Sequence, residues 1–73
     1  MNYAAKIETY KSYYNDGIEL YKSGDVSGAR AKLLKAAEIA ADIAKTTTNI
    51  AVHDQFQEAV KKIVAFVDEK CSG

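Results

Sequence analysis

The chain has no proline, no tryptophan, only four glycines in 73 residues, one cysteine and no net charge. Each shortage excludes something. With no proline and few glycines there is little to interrupt a regular backbone, and the plentiful Ala, Lys, Glu, Leu and Ile are good helix formers, so the composition points to an all-α fold. The lone cysteine, Cys71, cannot form an internal disulfide, which argues against a stapled secreted miniprotein and fits a reducing cytoplasm; so near the end it reads as an exposed thiol. Ten basic residues balance ten acidic ones, so no long-range field draws the chain to a phosphate backbone or an anionic bilayer, and no nucleic-acid partner is expected. No stretch approaches the ~18 uninterrupted apolar residues of a membrane span, and the first eleven residues lack the basic-then-apolar order of a secretion signal. Membrane insertion is therefore not expected, and the expected location is the cytoplasm.

What is present is helical periodicity. Tyr3, Ile7, Tyr10, Tyr14, Gly17 and Tyr21 alternate at spacings of four and three and line one face of a helix over 2–23, which Tyr13, Ile18 and Leu20 widen. Asn15-Asp16-Gly17 would be a hairpin turn between strands, but its flanks are helically periodic. Ser23-Gly24-Asp25 ends this helix: Gly24 can take the left-handed conformation, and the Asp25 carboxylate can cap the next helix. The second helix, 26–45, is apolar over much of its circumference, with Val26, Ala29, Leu33, Ala36, Ala40 and Ile43 on one side and Leu34, Ala37, Ala41 and Ala44 beside them, so it must touch two neighbours. Thr46 to Asn49 form the second turn, any Thr or Asn there being able to cap. The third helix, 50–70, sets Val52, Phe56, Ala59, Val60, Ile63, Phe66 and Val67 against a charged remainder. Short turns make consecutive helices antiparallel, and the prediction is one domain over 1–73, an up-down-up three-helix bundle.

The string from Tyr13 through Gly17 and Gly24-Asp25 to Ala29 resembles the first helix and turn of a tetratricopeptide repeat. In that match bulky Tyr13 precedes small Gly17, while Ala29, Leu33 and Ala36 supply the contacts of the second helix. Asp16 stands where the repeat has leucine, however, and the second helix runs past Ala41, where a repeat breaks. A single repeat also cannot bury its own face. The chain is more similar to the microtubule-interacting and trafficking (MIT) domain, a three-helix bundle that is tetratricopeptide-like with a third helix added; Phe56, Val60, Ile63 and Phe66-Val67 follow the pattern of that helix, with Val60 bulkier than the usual alanine.

The resemblance implies a non-catalytic protein-protein interaction domain, commonly the N-terminal module of a vacuolar-sorting-type AAA ATPase, that binds the helical or extended tail of a protein partner. It implies no cofactor and no metal. The chain, opening on Met and stopping soon after a helix, is accordingly expected to be the front domain of a longer protein. The expected binding surface is a shallow channel between helices two and three, floored by Ala37, Ala41 and Ala44, with Leu34 and Val64 at its ends and Gln57 and Lys61 along its edge. Family members often carry an acidic residue at the position of Lys61, so this lysine favours an acidic ligand. The alternative is a free-standing adaptor bundle that self-associates through the exposed side of helix two; a third reading has Arg30, Lys32 and Lys35 contact RNA.

Other candidates have plainer roles. Four of the five tyrosines sit at core spacing, leaving Tyr13 to face a partner. His53 has no second histidine or cysteine at metal-ligand spacing and reads as an exposed residue of the first helical turn. Ser23 to Gly28 lack the Gly-Lys-Ser/Thr ending of a phosphate loop. No nucleophile lies beside a plausible base, so no enzymatic activity is expected.

Overall fold

The computed structural model describes residues 3–71. Three α-helices, α1 (Tyr3–Lys22), α2 (Val26–Thr46) and α3 (Ile50–Lys70), pack as an antiparallel up-down-up bundle, with α2 against both neighbours. The expected start at Asn2 and the closing Ser72-Gly73 lie outside the described residues; the remaining boundaries fall within one residue of expectation. No helix among the described residues is long and apolar enough to cross a membrane.

The turns follow from local chemistry. Gly24 takes φ +95°, a conformation that disfavours any side chain, and closes α1: the Asp25 N–H donates to the Leu20 carbonyl (2.9 Å) and the Gly24 N–H to that of Tyr21 (3.1 Å). Asp25 then caps α2, its Oδ1 accepting from the Gly28 N–H at 2.9 Å. Gly28 matters here, because a Cβ on it would lie 2.5 Å from the Asp25 carboxylate. Asn49 caps α3 in the same way, accepting from the Val52 N–H at 3.2 Å. Asp25→Ala is expected to cost about 1 kcal/mol of stability, read as a lower urea midpoint at unchanged slope.

The core is built on α2. Leu33 and Ile43 are its largest fully buried side chains, and Ala29, Ala36, Ala37, Ala40 and Ala44 are buried around them. Toward one end Leu33 packs with Ile63, Val67 and Cys71; toward the other Ile43 packs with Phe56. The α1 contribution is unusual, since its one buried residue is Gly17. A Cβ built there would stand 2.7 Å from Leu33 Cγ and 3.3 Å from the Leu33 backbone nitrogen, so this glycine is what lets α1 approach α2 so closely. Asn15-Asp16-Gly17 stays helical because that approach requires a helix with no side chain at this point.

Two expectations are corrected. Cys71 is only 5% exposed. Its N–H bonds the Val67 carbonyl at 2.9 Å, so it continues the stripe Ile63, Val67, Cys71 into the core instead of fraying into solvent. His53 is half-buried, and its Nδ1 lies 2.7 Å from the Ala44 carbonyl oxygen. A carbonyl accepts, so Nδ1 carries the hydrogen, and Nε2 faces the Gln57 amide in a longer 3.4 Å contact. From the other side the Tyr3 hydroxyl donates to the Thr46 carbonyl at 2.5 Å, and Lys6 pairs with Asp42. The last turn of α2, which leaves carbonyls without helical partners, is thus closed by side chains from both neighbouring helices.

Candidate functional site

The two outer helices both lean on α2 without closing on each other: among the described residues, no Cα of α1 comes within 8 Å of a Cα of α3. They meet through aromatic rings, Tyr10 with Phe56 (centroids 5.4 Å apart, 76° between planes) and Tyr21 with Phe66 (5.1 Å, 71°), both edge-to-face pairs. Large rings prop the outer helices apart while Gly17 draws α1 down onto α2. A trough of about 490 Å³ results.

Leu33, Ala59 and Ile63 form its floor; Tyr10, Tyr14 and Ile18 stand on the α1 side, Phe66 on the α3 side, and Gln55, Glu58 and Lys62 edge the mouth. Tyr14 is 38% exposed and stacks on Tyr10 with centroids 6.1 Å apart, presenting its ring to the opening. Burial raises the Tyr10 hydroxyl above its usual range, and its neighbour Tyr14 adds to this, so Tyr10 remains a protonated donor at physiological pH. The polar groups around the trough are side chains at its edges, since the helix backbones bond internally. An occupant must therefore satisfy its own backbone, as a helix does and an extended strand does not.

The sequence reading missed this trough because it assigned Tyr10, Tyr14 and Ile18 wholesale to the core. Their i, i+4, i+8 spacing, repeated on α3 by Gln55, Ala59, Ile63 and Phe66 at i, i+4, i+8, i+11, was the available signal. Tyr13, expected to face a partner, is half-buried with the Lys32 ammonium 5.1 Å from its ring centre; Tyr14 is the exposed tyrosine.

The residues expected to line an α2–α3 channel are divided. Ala37 and Ala44 are buried in the helix interface, whereas Leu34 (39%) and Val64 (40%) remain exposed, as do Ala41, Gln57 and Lys61. A recess of about 420 Å³ joins Ala41, Ala44 and Gln57 with Lys45, His53 and Val60; Leu34, Ala37, Lys61 and Val64 lie outside it. On the α1–α2 seam another recess, of about 560 Å³, is crossed by the Lys6–Asp42 ion pair. The basic cluster is dispersed, with Lys32 over Tyr13 and Lys35 Nζ 3.9 Å from Glu38.

No protein-family model, curated protein or solved structure matches the chain.

Proposed function

We propose that this chain is a non-catalytic protein-interaction module that takes an amphipathic helix of a partner protein into the α1–α3 trough. The splay of α1 from α3 over an apolar floor carries this reading: it leaves the place of a fourth helix empty. Tyr10, Tyr14 and Phe66 supply aromatic anchoring surfaces, and Glu58 and Lys62, one turn apart on α3, set the register of a charged rim. The recess on the outer face of α2 and α3, about 420 Å³, is lined by Ala41, Ala44, Lys45, His53, Gln57 and Val60 and offers no tyrosine or phenylalanine as an anchor. The resemblance to MIT domains extends the proposal: the partner helix belongs to a cytoplasmic protein tail that the module recruits to an AAA ATPase.

A synthetic amphipathic helix of about 14 residues, with leucines on one face, is long enough to lie along the trough. Titrated into the isotope-labelled chain, it is expected to shift the resonances of Tyr10, Tyr14, Ala59 and Phe66. Tyr14→Asp should weaken its binding at least tenfold, about 1.4 kcal/mol, at unchanged helical circular dichroism, while Ala41→Asp leaves it unaltered. Shifts confined to α2, or full affinity in Tyr14→Asp, would place the site elsewhere.

A further inference from the structure

Leu34, Glu38, Ala41 and Lys45 stand at i, i+4, i+7 and i+11 on α2, and Asp54, Gln57, Lys61 and Val64 at i, i+3, i+7 and i+10 on α3. All eight are exposed, so they form two parallel ridges along the outer face of this helix pair. Ala41 and Gln57 line one recess and so share a level along the bundle. Because α2 and α3 are antiparallel with the same rise per residue, counting from that level sets Leu34 opposite Val64, and, within one residue, Glu38 opposite Lys61 and Lys45 opposite Asp54.

We infer that this face pairs with a second copy of the chain. A two-fold axis parallel to the helices lays α2 of one copy over α3 of the other and leaves every level unchanged. Each level then meets its complement twice: Leu34 against Val64, Glu38 against Lys61, Ala41 against Gln57 and Lys45 against Asp54. Apolar meets apolar at the Leu34–Val64 level and acid meets base at two others, with the uncharged Ala41–Gln57 level between those two. The charges are available for the purpose, since Glu38 and Lys61 have side chains 73% and 72% exposed and their contacts within the chain, to Lys35 and Glu58, are both at 3.9 Å. The small Ala41 lets the ridges approach at mid-face, and the resulting dimer has two α2–α3 pairs face to face. The two α1–α3 troughs stay open, so this pairing does not rest on the peptide reading.

Analytical ultracentrifugation of the full chain from micromolar to millimolar concentration is expected to show the mass rising from 8.0 kDa toward twice that value. Glu38→Lys sets one lysine against Lys61 at each of the two symmetric positions and should raise the dimer dissociation constant at least about tenfold. Adding Lys61→Glu should restore it to within about threefold, the residue being the new like-charge neighbours along each helix. Tyr14→Asp, which disables the trough, should leave the dimer intact. A monomer at millimolar concentration overturns the inference; so does a dimer indifferent to Glu38→Lys, or one that the paired reversal fails to rescue.

Discussion

Gly17→Val is expected to lower the unfolding free energy by about 3 kcal/mol, the upper part of the range for overfilled cores. On an exposed helix face, replacing glycine with a residue bearing a side chain is favourable, by about 1 kcal/mol for alanine and less for valine. Here the sign reverses, because the first atom of any side chain would stand 2.7 Å from Leu33 Cγ and 2.8 Å from its Cδ2. Leu33 cannot swing clear, being 1% exposed and enclosed by core, and its backbone nitrogen is 3.3 Å from the same point. Relief requires α1 to move off α2, uncovering Ala29 and Ala36. Urea unfolding followed by circular dichroism measures the loss, and a valine variant as stable as the parent would show that the helices do not make this approach.

Leu33→Ala is expected to cost about 3 kcal/mol, from the burial lost and the cavity left between α1, α2 and α3. At roughly 0.1 kcal/mol per residue a chain of this length has only about 7 kcal/mol to lose, so the variant should melt some 15–20 °C lower. The two positions are also coupled. Once Leu33 is alanine, the two side-chain atoms nearest a Gly17 Cβ are gone and only the backbone nitrogen at 3.3 Å remains, so Gly17→Ala should be close to neutral or should recover up to about 1 kcal/mol of helix propensity in that background, while it destabilises the parent. Additive costs in the double mutant would mean that the glycine serves some purpose other than admitting Leu33.

Much of the architecture is local and was therefore legible. Gly24 and Asp25 end one helix and begin the next through bonds spanning no more than five residues, and Asn49 starts α3 through a bond of three. The two apolar stripes of α2 required two neighbours, which it has. Misreadings came where a side chain's surroundings depend on another helix. The spacing of Cys71 from Val67 was in register, but its place near the chain end suggested solvent. His53 looked exposed because the carbonyl it bonds, that of Ala44, belongs to a helix end folded beside it. Tyr13 and Tyr14 are neighbours in sequence, and only the position of Lys32 and the gap beside α3 decide which of them faces out.

The sequence by itself determined three amphipathic helices, two tight turns and the central place of α2, because hydrophobic period and capping act within a turn or two of backbone. Periodicity says which face of a helix is apolar; it does not say how far apart two helices stand when both pack on a third. That distance was decided by the sizes of the residues in contact once folded: Gly17 against Leu33 brings α1 down onto α2, while Tyr10 against Phe56 and Tyr21 against Phe66 hold α1 off α3. The open trough follows from that difference in size, and only the packing of α3 on α2 decides that Ala37 is buried while Ala41 and Ala44 line a recess.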